Sequence, residues 1–338
     1  MARLSKVDGR WVNLDKPGGA VFFVAGDTVS YKGGGGSDTY AGTSPEKPKA
    51  TIDGTTGAHA SCAATRGDTI VVMPGTVTIT AAIDLDVANV TLTGYTVTGP
   101  KTRNPSIITC ATDSVSMINV DAANVVVENL TITNTATTAD VFLIDVGDTT
   151  SASGSILRNL FIDCEGGAAT VNAVRLGDGT VVSDYLMMDG CVIYDYDDIA
   201  VTQGTASDGT LIRNCDIFDL VSDNEGLTGI ELGGDHCRIE DCYIKVSAAD
   251  AAAACIAGTG TALENYVGNT HLHAFGSGAH GVLLTAGDSI QGLHMWGTGA
   301  TADIFDIKTA VVGLTGFTGW AAVGDGSVCA LINPNVTA

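Results

Sequence analysis

The sequence predicts an all-β solenoid of parallel coils, and three observations predict it. First, a short apolar pattern recurs: VTLTGYTV from Val90, VVVENLTI from Val125, SILRNLFI from Ser155, YLMMDGCVI from Tyr185, TLIRNCDI from Thr210, CRIEDCYI from Cys237 and a degraded SIQGLHMW from Ser289. Second, a small or turn-forming residue holds one place in each copy, at Gly94, Asn129, Asn159, Gly190, Asn214, Asp241 and Gly292. Successive spacings are 35, 30, 31, 24, 27 and 51 residues, and the last gap holds one further coil with LENYVGNTHLHAF, Leu263 to Phe275, as its weak copy. Third, a second apolar run follows each copy, as in VFLIDVGD from Val141, NAVRLGDG from Asn172 and TGIELGGD from Thr228. Apolar and polar residues alternate within these runs, and helical periodicity is nearly absent. Repeats of this length with two or three short strands stack as a solenoid. About nine coils at roughly 4.8 Å each give a rod about 40 Å long.

Residues 1–20 are polar, hold Arg3, Lys6, Arg10 and Lys16, and read as an N-terminal arm; 21–66 form a cap region and 67–310 the coils. Asn and Gly at the turns tolerate left-handed backbone, and stacked Asn side chains can bond in a ladder. Behind the turns Leu130, Leu160, Cys191, Cys215 and Cys242 form one column, and Ile132, Ile162, Ile193, Ile217 and Ile244 the next inward one. The variable spacing puts insertions in loops on one side, where function concentrates. Residues 311–338 are apolar and glycine-rich, with Phe317 and Trp320; an open solenoid end must be covered, so this segment is a cap or an oligomer contact. A β-sandwich would not repeat one motif so often in register, and the leucine-rich consensus is missing.

Composition narrows the function. With 38 acidic against 16 basic residues the 338-residue chain carries a formal charge of −22. That argues against nucleic acid, whose phosphates need Lys and Arg, and against anionic membrane surfaces, while permitting Ca²⁺. No run of eighteen apolar residues exists, so no transmembrane helix is expected, and the N-terminus lacks the apolar core of a secretory leader. The nine cysteines contain no CxxC pair, so free thiols buried as small hydrophobes are expected.

Gly36-Ser37-Asp38, Gly42-Thr43-Ser44-Pro45, Pro48 and Ala50-Thr51-Ile52, followed by Gly67-Asp68-Thr69-Ile70 and Pro74-Gly75-Thr76, carry a family likeness. Together they resemble the opening of right-handed parallel β-helix proteins of the pectate-lyase-like superfamily, although Val77 stands where that pattern has Tyr. The resemblance covers about residues 21–310. It implies the fold, with Ala58–Ala64 as a helix capping the core. It fixes no activity, because the superfamily includes lyases, hydrolases, phage tailspikes and inert virion proteins. Gly33–Gly36 is followed by no GK[ST] and reads as a loop rather than a phosphate cradle.

For lyases of this superfamily the resemblance implies clustered carboxylates for Ca²⁺ and a basic residue; for its hydrolases, two or three acids close together. The densest acidic patch is Asp195, Asp197 and Asp198 with Asp216, Asp219, Asp223 and Glu225 one coil on. Asp195 and Asp219 each lie two residues past a column isoleucine and should stack at coil spacing, where two carboxylates need a cation or a shared proton. Asp195, Asp219, Asp197 and Asp216 are therefore the catalytic candidates if the chain is an enzyme, and Asp195, Asp219 and Asp223 the candidate Ca²⁺ ligands. The competing reading of all of them is turn acids on an acidic surface. A second series, Asp148, Asp178, Asp208, Asp235 and Asp288, sits beside glycines as Asx-turn residues do. The basic candidates are Arg158, Arg175, Arg213 and Arg238; Arg158 and Arg213 occupy equivalent positions, which favours surface pairing with neighbours such as Asp216 and Asp241. His271 and His273 share a strand face, but a third metal ligand is not evident. A TxT ladder (Thr76/Thr78, Thr91/Thr93, Thr131/Thr133) fails at Phe161/Asp163.

The sequence therefore favours a non-enzymatic structural protein on the outer surface of a virus particle, most of all a bacteriophage capsid decoration or cement protein. It would be a homo-oligomer, a trimer by expectation, touching capsid protein and binding no cofactor. The alternative is a polysaccharide-binding or polysaccharide-cleaving spike, for which Tyr194, Tyr196, Phe218 and Tyr243 are the candidate sugar-stacking rings.

Overall fold

In the computed structural model the chain winds into a parallel β-helix. The residues described in full are 18–26, 35–95, 99–110, 112, 116–135, 142–164, 172–219, 227–247, 253–259 and 264–274. To these are added Gly281–Leu283 and the backbone of six strands: Leu4–Val7, Arg10–Asn13, His280–Leu284, Ile290–Gln291, Met295–Trp296 and Phe305–Ile307. The segment 311–338 lies outside them. Three parallel sheets of ten, nine and nine strands are formed among the described residues. Each coil gives one strand to each sheet in the same order, for example Val126–Glu128, Thr131–Asn134 and Phe142–Val146, then Ile156–Arg158, Phe161–Asp163 and Asn172–Leu176.

The step from first to second sheet is one residue in left-handed backbone: Asn129 (φ 55°), Asn159 (51°), Gly190 (67°), Asn214 (52°) and Asp241 (55°). The side chains ladder as expected: Asn159 Nδ2 donates to Asn129 Oδ1 at 3.3 Å, and Asn129 Nδ2 to Thr93 Oγ1 at 3.3 Å. At Gly190 a Cβ would come within 2.8 Å of Asn159 Oδ1, so this coil takes glycine. The step from second to third sheet is longer and holds the insertions 136–141, 165–171, 220–226 and 248–252.

The inward columns form one core. Ile132, Ile162, Ile193, Ile217 and Ile244 pair in register and are fully buried. Cys191, Cys215 and Cys242 are buried free thiols behind the turns, and burial pushes the Cys255 thiol up to about 12. Where a capping helix over Ala58–Ala64 was expected, the chain makes one 3-10 turn, His59–Ser61, with Ile52 and Ala58 buried beneath it. Strands Leu4–Val7 and Arg10–Asn13 pair antiparallel.

The outward positions are not uniform. On the first sheet Glu128, Arg158, Asp189, Arg213 and Glu240 stand one per coil and alternate in charge. Arg158 donates to Glu128, with Nε–Oε2 at 3.0 Å, and Arg213 to Asp189 at 2.9 Å. These, and not Asp216 or Asp241, are the partners of the two equivalent arginines. Arg238 pairs with Glu240 on its own strand.

Candidate functional site

The third sheet presents the column with chemistry. Register places Asp84, Asn119, Asp145, Arg175, Thr202, Glu231 and Ala257 one above another, between inward neighbours such as Ile144, Val174, Val201 and Ile230. Strand alternation, with a buried Ile or Val before each of them and a Val or Leu after all but Thr202 and Ala257, turns these residues outward.

Arg175 Nε donates to Asp145 Oδ1 at 2.8 Å, Nη2 donates to Asp145 Oδ2, and Nη2 reaches Asp148 Oδ1 at 2.5 Å. The guanidinium also lies 5.2 Å from the Phe142 ring centroid. Partial burial works against its charge, but the two carboxylates outweigh it and hold Arg175 above the ordinary arginine value. It is a fixed cation and not a base. Asp145 is buried, and that burial raises its carboxyl in spite of the Arg175 bonds. Glu231 is raised as well, first by burial and then by the charge of Asp198. Thr202 draws it partway back, although its buried Oγ1 makes no hydrogen bond of normal geometry. The face therefore offers a clamped cation and a carboxyl whose pKa burial and Asp198 raise. Asp145 and Glu231 are three coils apart, roughly 14 Å. That exceeds the separation at which two carboxylates serve one glycosidic bond, and Asp145 is held instead by Arg175.

The acids singled out from the sequence are placed differently. Asp195 (φ 58°) and Asp219 occupy stacked positions, since Asp195 N bonds Phe218 O at 3.0 Å and Asp219 N bonds Lys245 O at 3.3 Å. Their carboxylates part company: Asp195 is half-exposed, whereas Asp219 is 1% exposed and accepts a hydrogen bond from Ser247 Oγ. Asp197 is half-buried, and Asp216 faces out from the second sheet in an ion pair with Lys101 at 2.6 Å. Asp223 and Glu225 lie outside the described residues. Among the described residues no three His, Cys, Asp or Glu side chains stand together as a metal cage. Of the second acidic series, Asp148 joins Arg175, while Asp178 makes the expected Asx turn to Thr180 N and Val181 N at 2.7 Å. Glu231 went unnoticed because it is alone in its stretch of sequence. Aligning the second apolar runs on Gly147, Gly177, Gly204 and Gly233 would have found it: Asp145, Arg175, Thr202 and Glu231 each stand two residues before those glycines.

These features define a parallel β-helix with one chemically equipped sheet face. No protein-family model matches the chain and no curated protein matches it in sequence. Solved structures of similar fold include the A-module of an Azotobacter vinelandii mannuronan C-5 epimerase, AlgE6, at 14% identity, covering 77% of this chain and 91% of that one, with a TM-score of 0.43. A rhamnogalacturonan lyase is similar at 12% identity over 77% of this chain and 75% of its own, with a TM-score of 0.48. ORF18 of Geobacillus virus E2 is similar at 15% identity over 70% of this chain and 51% of its own, with a TM-score of 0.37. At these identities the likeness is one of fold. The expectation of a chain without enzymatic chemistry is not upheld: the solved structures of similar fold include an epimerase and a lyase, and at 12–14% identity they show the fold alone. The physical reason is that no local motif was visible in sequence, whereas coiling brings Asp145, Arg175, Thr202 and Glu231 from separate repeats into one column.

Proposed function

We propose that this chain is a polysaccharide-processing β-helix that lays a glycan along the outer face of the third sheet. The observation that carries the reading is the column Asp145–Arg175–Thr202–Glu231. Arg175 binds and orients the chain of sugars; water adds to the anomeric carbon as its bond to the leaving oxygen breaks, Glu231 gives its proton to that oxygen, and the proton released by the water passes to solvent, from which Glu231 is reprotonated. The experiment is release of reducing ends from a panel of bacterial capsular and plant-wall polysaccharides. Glu231→Gln is expected to cut turnover by about 100-fold or more, the scale of one general acid, while leaving binding intact. Turnover unchanged in Glu231→Gln would reject the reading.

The virion placement fits the same activity, since a host's surface polysaccharide is what an outward-facing particle protein meets first. A second observation supports self-association. Val126, Ile156, Met187 and Leu211 form a half-exposed apolar column on the first sheet. It runs beside the charge-balanced ladder Glu128–Arg158–Asp189–Arg213. On a chain of charge −22 that face is suited to a second copy of itself, and a trimer on the particle is the assembly we propose.

A further inference from the structure

The outer face of the second sheet is not used by the reading above. Its first coils carry threonine, at Thr76, Thr78, Thr109, Thr131 and Thr133. From the strand Phe161–Asp163 onward each coil adds a ring to one or other of these two columns, Phe161, Tyr243 and His271 in the first and Tyr194, Phe218 and His273 in the second, all half-exposed, with Val192 and Asp216, and Asp163 and Lys245, at the remaining places. Ring centroids lie 6.4 Å apart for Phe161 and Tyr194, 5.2 Å for Tyr194 and Phe218, and 5.1 Å for Tyr243 and His271. Tyr196, the fourth ring expected to meet sugar, is instead wholly buried, with its hydroxyl on Lys245 O at 3.2 Å.

This face also departs from the molecule in charge. The loop before the strand Ser106–Cys110 folds back across it. Arg103 there lies 4.7 Å from the Phe161 centroid and pairs with Asp163 at 2.6 Å. Lys101 pairs with Asp216, and Lys245 stands beside the histidines. Three Lys and Arg residues thus meet two Asp on a chain whose overall balance is −22. His273, Nδ1 at 3.3 Å from the Tyr243 hydroxyl, is held below the ordinary histidine value by burial, then by Lys245, then by His271.

We propose that this face binds an acidic polysaccharide strand lying along the solenoid axis, with sugar rings on Tyr194, Phe218 and Tyr243 and carboxylates at Lys245, His271 and His273. The apolar face of a sugar packs on an aromatic ring as another apolar ring does. A pyranose unit and a coil both advance about 5 Å, so a strand along the axis meets a fresh ring at each sugar. The site is separate from the Glu231 face and does not depend on it.

The test is calorimetric titration of the full chain with cellouronate fragments, and with cello-oligosaccharides as the matched backbone without carboxylates. Cellouronate is expected to bind and the uncharged fragments to bind several-fold more weakly. Tyr194→Ala with Phe218→Ala should weaken cellouronate about tenfold, whereas Tyr194→Phe with Phe218→Tyr keeps binding, which separates lost rings from lost fold. Lys245→Gln should weaken cellouronate alone. Glu231→Gln should bind as the parent does, so this proposal and the catalytic one fail separately. No cellouronate binding, equal binding of the uncharged fragments, binding unchanged in the alanine pair, or binding lost in Glu231→Gln would each overturn the proposal.

Discussion

At the scale of single residues, the carboxyl of Glu231 carries a consequence beyond the catalysis proposed for it. Its pKa is raised in the folded chain by burial and by Asp198. Between the ordinary glutamate value and that raised value the native state therefore binds more protons than the unfolded one. The group's contribution to stability is thus fully present below the unfolded value and is lost as pH rises through the folded one. Glu231→Gln keeps the shape and removes the titration. Thermal melts from weakly acidic to neutral pH are expected to move in the variant's favour, relative to the parent, as pH rises; parallel curves would show that Glu231 is an ordinary carboxylate. Asp189 has the opposite sign. Its burial is outweighed by the hydrogen bonds from Arg213 and Asn214, which hold it below the usual range, so its contribution is present above the unfolded value and is lost as pH falls through the folded one.

At the scale of the element, the unit is the left-handed turn and the two strands it joins. Asn159 combines φ 51° with a hydrogen bond to Asn129. Asn159→Val puts a β-branched residue where left-handed backbone costs about 1–2 kcal/mol and removes a ladder bond worth about 1 kcal/mol. A loss of about 2–3 kcal/mol in denaturant unfolding is expected, while Asn159→Gly should lose only the ladder bond; equal losses in the two would mean that backbone handedness is not the controlling factor. These turns were legible in the sequence, and so were the isoleucine and cysteine columns behind them, because both are local patterns repeated at coil spacing. What was not legible came from contacts across many coils. Lys101 meets Asp216 from 115 residues away, Arg103 reaches Phe161 and Asp163, and Glu231 acquires its neighbours only through register. The acidic patch read from Asp195 to Glu225 was a density along the chain. The fold disperses its described members: Asp219 turns inward to Ser247 and Asp216 outward to Lys101.

At the scale of the whole molecule, charge decides which faces can meet. Copies of a chain with a formal charge of −22 repel one another unless the contacting face is locally balanced. The first sheet satisfies that condition, since Glu128, Arg158, Asp189 and Arg213 neutralise one another in pairs next to the apolar column of Val126, Ile156, Met187 and Leu211. Association through this face has two signatures. Raising the salt concentration screens the long-range repulsion of the remaining acids while leaving apolar contact intact, so the mass in solution, measured by light scattering, should rise toward three copies as salt is added. Met187→Glu with Leu211→Glu places two carboxylates one coil apart at the centre of the column. This pair of changes is expected to hold the protein at the mass of a single chain at every salt concentration, with its β-rich circular dichroism unchanged, because both side chains point away from the core. A parent chain that stays monomeric at high salt, or a double variant that associates as the parent does, would move the contact to another face.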